Sequence, residues 1–262
     1  EKGSTVDRGL VRLLPTAAGL ACAALSGRAA LLLLPGAPGV AALAILAAGL
    51  LPMNLLLSSF ASNETLHAAC ISGAVVHACT ALCAARMTWP GLAAASLLLG
   101  LALLTKSTTG LPVVALLSVF VALKAWLLER RRAPAALARG AVLWVGPLVL
   151  AGWFYARNWM LFGDPVVSNL GAFAEWTYWL PPGFHTPAWF LGFGEVLRHP
   201  FFASFHSFAD GFYGSFWSDG YASGRAGVKF PNPWWDYEGM ASLVLLALPA
   251  TAVGSVGGGG CV

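Results

Sequence analysis

The sequence predicts an all-α polytopic membrane protein of about seven transmembrane helices, with one further helix lying at the outer membrane face. Three observations predict it. Hydrophobic residues make up 58% of the chain and charged residues 10%, where soluble domains run near about one quarter charged. Apolar runs long enough to span a bilayer recur along the chain. Most of the arginines between those runs fall on one side when every run is counted as a crossing.

Taken in order, a polar start leads to a first apolar segment over 10–34, where Arg12, Pro15 and Ser26-Gly27-Arg28 are expected to interrupt the helix. The second segment covers 39–60, and Pro52 is expected to kink it because proline removes a backbone donor and clashes one turn back. The third follows Ser62-Asn63-Glu64-Thr65 and closes at Arg86; the fourth is short, 91–105. The fifth, 111–128, ends at Glu129-Arg130-Arg131-Arg132, and the sixth, 135–155, is expected to stop at Arg157-Asn158-Trp159. These six spans form a membrane domain over 1–157. Residues 158–238 read as a non-cytoplasmic loop rich in Gly, Pro and aromatics that carries most of the eleven tryptophans. Within it, Phe201, Phe205, Phe208, Phe212 and Phe216 repeat at helical spacing, which predicts an interfacial helix over about 200–217. A seventh span over 239–256 and a glycine-rich tail over 257–262 complete the chain.

With all spans crossing, Arg28, Arg86, Arg130, Arg131, Arg132 and Arg139 share one side, and Glu64, Lys106, Arg157 and Asp164 share the other. The positive-inside rule makes the first side cytoplasmic. Lys106 sits in Thr105-Lys106-Ser107-Thr108-Thr109-Gly110, between two apolar runs. A cation there is costly unless it reaches a headgroup layer or a ligand, so the stretch reads as a tight turn at the membrane face or as part of a site. Glu64 with Asn63 reads as a helix cap or as a carboxylate at a polar mouth. Asn63-Glu64-Thr65 is also a glycosylation sequon beside a span. Arg157 and Trp159 fit a membrane anchor, while Asn158 and Gly163-Asp164-Pro165 add a polar turn that anchoring does not need. Lysine and arginine on one face could together hold a lipid-linked phosphate.

Other chemistry finds little footing. The five cysteines form no disulfide framework, and the Cys79 and Cys83 pair lacks further ligands at zinc spacing. The five histidines show no metal spacing, and only His206 with Asp210, one turn on, forms a pair of interest. No nucleotide-binding glycine motif or serine elbow is present, and the scattered net charge of +4 gives no nucleic-acid surface.

Several stretches together resemble one family. Leu51-Pro-Met53 followed by Ser62-Asn-Glu64-Thr-Leu66 resembles the opening of an outer-face helix in the polyprenol-phosphate-sugar-dependent membrane glycosyltransferases. This superfamily has the C-type glycosyltransferase fold and includes protein mannosyltransferases and aminoarabinose transferases. Gly100-Leu-Ala-Leu-Leu-Thr-Lys106-Ser-Thr-Thr-Gly-Leu111 is similar to its G-L-A-L-L-T-K-x-T-G-L segment with one extra hydroxyl residue. Arg157-Asn-Trp-Met-Leu-Phe-Gly-Asp-Pro165 resembles its R-N-W-x-x-Y-G-D-P turn, and Ser215-Phe-Trp217 an outer-loop S-F-W-G element in which Ser218-Asp219 replaces the glycine.

The resemblance implies a polyprenyl-phosphate sugar or another membrane lipid as partner. It places Lys106, Arg157 and Asn158 near the donor phosphate, and Glu64 with Asn63 in support. Asp164, His206, Asp210 and Trp217 become outer-loop candidates. The family's catalytic carboxylate lies in a first outer loop that has no counterpart in this sequence. The chain therefore reads as a fragment with its base upstream, or as a relative without activity. No cofactor is identifiable, and a divalent metal is left open. Two readings from other classes stand beside this one: a non-catalytic subunit of a larger membrane complex, and part of a transporter, suggested by Pro52 and the short fourth span.

Overall fold

The computed structural model describes residues 5–59, 63–166, 187–197 and 207–216. Every regular element among them is helical. They divide between two compact units, Glu1–Leu50 with Leu57–Ala172 and Leu51–Leu56 with Phe173–Val262.

The first unit holds α1 (Thr5–Leu33), α2 (Pro38–Leu50), α4 (Glu64–Cys83), α5 (Trp89–Thr105), α6 (Ser107–Leu127) and α7 (Ala133–Phe162). The helix α3 (Pro52–Ser59) begins where α2 breaks at Leu51, immediately before Pro52. Among the described residues four helices are long and apolar enough to cross a membrane, and five if the broken pair is one span. Helix α5 is apolar but only 17 residues long. The architecture is that of a multi-span helical membrane bundle. Its exterior agrees: Leu20, Leu46, Leu116, Leu148 and Val149 are each more than half exposed, a surface suited to lipid rather than water. The interior is built from small residues, with Ala74, Ala78, Ala95 and Ala125 fully buried around Leu99, Val121 and Leu143. Such residues let helices approach closely where lipid supplies no hydrophobic drive.

The expected breaks in α1 do not occur. Pro15 lies inside one continuous helix, and the Thr16 hydroxyl donates to the Arg12 carbonyl at 2.8 Å and to the Ser58 carbonyl at 3.1 Å. The Ser26 hydroxyl likewise donates to Cys22 at 3.0 Å. Both hydroxyls are satisfied by the carbonyl one turn back, the ordinary place for a hydroxyl inside an apolar helix. Helix α7 also runs past its expected stop at Arg157 and ends at Gly163, whose φ of +71° closes it in the left-handed conformation.

Helix α7 is irregular inside: Val142–Trp144 is 3-10 and Pro147–Ala151 is π. The cause is a side chain from α5. The Ser96 hydroxyl donates to the Val142 carbonyl at 2.9 Å and accepts from the Gly146 N–H at 2.7 Å. It therefore stands inside the bond that Gly146 and Val142 would form with each other in an α-helix. Pro147 brings no donor for the next carbonyl, Leu143, which lies 3.3 Å from the same hydroxyl. The backbones meet so closely that a Cβ on Gly146 would stand 2.0 Å from the Ser96 carbonyl oxygen, and one on Gly100 2.6 Å from that of Gly146.

At the end of the bundle where α4 stops, Lys124 of α6 is buried and its ammonium donates to the carbonyls of Ala81 at 3.1 Å, Leu82 at 2.6 Å and Ala84. These are terminal carbonyls without helical partners, at the negative end of the helix dipole. The one charge in the fifth apolar segment is thus a cap.

In the second unit, α8 (Pro187–Leu191), a 3-10 turn (Glu195–Leu197) and α9 (Phe208–Ser215) pack together. The interfacial helix expected over 200–217 starts later within the described residues. Ser207 is extended, with φ −159° and ψ 166°, and caps α9. The phenylalanine stripe survives in part: Phe208 and Phe212 stack at 6.4 Å, Phe212 meets Phe216 edge-on at 5.2 Å, and all three are exposed. The expected span over 239–256 and the tail over 257–262 lie outside the described residues.

Candidate functional site: a polar mouth at one end of the bundle

Helices α5 and α6 are joined by Lys106 alone, in extended conformation with φ −161° and ψ 125°. The expected turn over the hydroxyl run is therefore one residue long, and Ser107 already begins α6. The Lys106 ammonium lies 2.8 Å and 3.0 Å from the two carboxylate oxygens of Glu64, the first residue of α4. The lysine side chain stays 39% exposed and the glutamate 29%. An ion pair this open to solvent contributes no more than about 1 kcal/mol to stability, so stability alone gives little reason to keep it. An ammonium has three donors, and the two contacts to Glu64 leave at least one for a ligand.

Asn63 occupies the N-cap position of α4 but makes no side-chain cap bond. Its amide instead donates 2.7 Å across to the Thr105 carbonyl at the end of α5. The capping expectation for Asn63 gives way to a tether between helices.

The residue that sequence reasoning passed over is His67. One turn into α4, it is 7% exposed, and its Nδ1 lies 3.1 Å from the Ala102 carbonyl oxygen and 2.9 Å from Thr105 Oγ1. Its Nε2 meets Thr109 Oγ1 of α6. A carbonyl only accepts, so Nδ1 carries the proton and Nε2 accepts from the Thr109 hydroxyl. The imidazole thus grips both helices on either side of Lys106. A histidine three places after a glutamate at a helix start was the available signal, and it requires Thr105 and Thr109 to be known as neighbours before it means anything.

Helix α7 joins the same end through Tyr155, whose hydroxyl donates to the Leu103 carbonyl at 2.8 Å. Arg157 follows two residues on, exposed and without an ion pair among the described residues. Asn158 is different: it is 5% exposed and its amide reaches the Pro165 carbonyl at 3.4 Å. Asp164 accepts from the Val166 N–H at 2.8 Å, an Asx turn. Both residues shape the turn beyond Arg157; Asn158 is buried in doing so, while Asp164 stays exposed. Glu64, Lys106 and Arg157 therefore share one end of the unit. Arg86, Glu129 and Arg139 mark the other, about 30 Å away along the 20 residues of α4.

Asp210, the outer-loop candidate of the second unit, is 1% exposed. Its Oδ1 accepts from the Gly194 N–H at 2.8 Å and the Val196 N–H at 3.2 Å, and its Oδ2 from the Ser207 hydroxyl at 2.9 Å. Burial works to raise its pKa; the backbone donors Gly194 and Val196 and the Ser207 hydroxyl outweigh it and hold the carboxyl below its usual value. This is a folding role. His206 and Trp217 lie outside the described residues. A depressed pKa means that Asp210 stabilises the unit above the ordinary carboxylate pKa, and that this contribution is lost as pH falls through the folded value. Tryptophan fluorescence followed from pH 6 to pH 2 is expected to show that acid step in the wild type. Asp210→Asn should remove the step, and Asp210→Ala should destabilise the unit by about 1–3 kcal/mol by orphaning two N–H groups.

Among the described residues no three His, Cys, Asp or Glu side chains gather as a metal site. Fold and site together define a multi-span helical membrane protein with a charged, hydroxyl-lined mouth at one end of its bundle. No protein-family model matches the chain, and neither a curated protein nor a solved structure is significantly similar to it.

Proposed function

We propose that the chain is the membrane core of a glycosyltransferase that moves a sugar from a polyprenyl-phosphate donor to an acceptor at the outer face. The observation that carries this reading is Lys106. It is oriented by Glu64, is two-fifths exposed, and shares its end of the bundle with Arg157. The likeness of the segments around Asn63, Lys106 and Arg157 to those of the polyprenol-phosphate-sugar transferases supports it. In this reading seven spans cross, the mouth faces the non-cytoplasmic side, and the arginine-rich end faces the cytoplasm.

The transfer breaks the bond between the anomeric carbon and the donor phosphate oxygen, and forms one to the acceptor oxygen. The acceptor's proton passes to a carboxylate, and the polyprenyl phosphate leaves with added negative charge. Lys106 and Arg157 stabilise that charge where it develops. Glu64 is held by Lys106 and keeps the ammonium aimed; the base belongs to an outer loop of the kind the resemblance implies.

The test is sugar transfer from a polyprenyl-phosphate sugar by the full-length protein in proteoliposomes. Lys106→Ala and Arg157→Ala are each expected to lower kcat by roughly 10²-fold, the scale of losing one donor to a developing oxyanion. Unchanged turnover in both folded variants would remove these residues from the site. Absence of transfer by the folded wild type would favour an accessory role in a larger membrane complex.

A further inference from the structure

The opposite end of the first unit carries a second charged surface, with no part in the proposed transfer. Four arginines, Arg86, Arg130, Arg131 and Arg132, are exposed around the α4–α5 and α6–α7 turns. The acid that could neutralise them is turned inward. The Glu129 side chain is 7% exposed; its Oε1 accepts from the Met87 N–H at 2.8 Å and its Oε2 from Arg139 at 2.8 Å. Arg131 stands 3.9 Å from the same carboxylate and keeps half of its side chain exposed.

The Glu129–Met87 bond has a second effect. It draws the α4–α5 turn, with Arg86, against the α6–α7 turn, so the arginines form one surface. Arg139 is not part of it, because its guanidinium lies 5.3 Å over the Trp89 ring. Trp89 and Trp126 are each more than half exposed beside this surface, as indoles are at the boundary between hydrocarbon and headgroups. Arg130 itself is held at φ +56°, where glycine is the ordinary residue and any side chain strains the backbone. Arg130→Gly would relieve that strain while removing one guanidinium from the surface.

We propose that the Arg86 and Arg130–Arg132 surface binds the headgroup of an anionic phospholipid. The phosphodiester is the anion that a bilayer presents at this depth, and guanidinium pairs with it through two donors. The partner is the lipid headgroup rather than free phosphate because the flanking indoles place the cluster against acyl chains. The inference does not depend on the transferase reading.

The experiment titrates the full-length protein in non-ionic detergent with dioleoylphosphatidylglycerol. Thermal unfolding is followed against equal concentrations of dioleoylphosphatidylcholine and of inorganic phosphate. Phosphatidylglycerol is expected to raise the midpoint by several degrees, and the other two to leave it in place. Arg131→Gln with Arg132→Gln should abolish most of that shift. Arg130→Gly should weaken apparent affinity on the order of fivefold while its lipid-free midpoint equals or exceeds that of the wild type. Equal shifts from phosphatidylcholine or inorganic phosphate would overturn the proposal, as would an undiminished phosphatidylglycerol shift in both variants.

Discussion

Gly146→Ala is expected to destabilise the bundle by about 3 kcal/mol or more, the upper range for overpacking a tight interior. The added methyl would stand 2.0 Å from the Ser96 carbonyl oxygen, 2.4 Å from its carbon and 2.8 Å from the Leu97 nitrogen. All three are backbone atoms of α5, so no side chain can turn aside and the helices must separate. Separation also withdraws the Ser96 hydroxyl from Val142 and Gly146. Ser96→Ala removes that hydroxyl alone and leaves the packing intact, so it should cost less, about 1–3 kcal/mol for the orphaned N–H. Unfolding of the purified protein by a denaturing detergent ranks the two. A Gly146→Ala midpoint at or above that of Ser96→Ala would mean that α5 and α7 do not meet as described.

On the transferase reading proposed above, His67→Leu is expected to reduce transfer by roughly 10²-fold, the scale of a misplacement near 1 Å at a reacting centre. The imidazole grips Ala102 and Thr105 on one side of Lys106 and Thr109 on the other. Without it, the Lys106 ammonium is no longer set against Glu64. The bonds themselves are worth only about 0.6–1.7 kcal/mol each inside a membrane bundle, so the loss of function should far exceed the loss of stability. His67→Asn, whose amide can replace the Nδ1 donor, should recover much of the activity. If His67 acts through Lys106, the double variant with Lys106→Ala is no slower than Lys106→Ala alone. Independent, multiplying losses would make His67 a structural residue only. Acylation of Lys106 by an amine reagent gives a readout apart from transfer: it should speed up both in His67→Leu and in Glu64→Gln, each of which frees the ammonium from its carboxylate partner.

The helices were legible because their cause is local. Each of the six apolar segments becomes a helix, and Pro52 breaks the second where its missing donor predicts. Their ends were less legible, because the same residue types serve as stops and as first turns. Ser107 and its neighbours look like a loop, yet α6 begins there; Arg157 looks like an anchor at a helix end, yet α7 continues to Phe162. The grouping of Glu64, Lys106 and Arg157 followed from counting crossings, and the contacts of Lys106 with Glu64 and of Tyr155 with Leu103 bring that grouping together. What pairs with what across helices was not written in either period. Lys124 as a cap for α4, Ser96 inside the ladder of α7 and His67 between two threonines depend on which faces meet, and an alanine-rich bundle leaves many faces open to meeting.

The single residue between α5 and α6 has a consequence for how this chain can change. A helix turns about 100° per residue, so one residue added after Lys106 would carry Thr109 around α6 and away from His67. One residue removed would pull Lys106 into a helix and off Glu64. The α4–α5 turn at the other end has five residues, 84–88, between Cys83 and Trp89; Ala84 and Met87 are tied to Lys124 and Glu129, and the exposed Ala85 and Arg86 between them can take up such a change. Length variation should therefore be permitted at one end of this hairpin stack and forbidden at the other, so the junction at Lys106 acts as the fixed origin from which the facing residues of α4, α5 and α6 are counted.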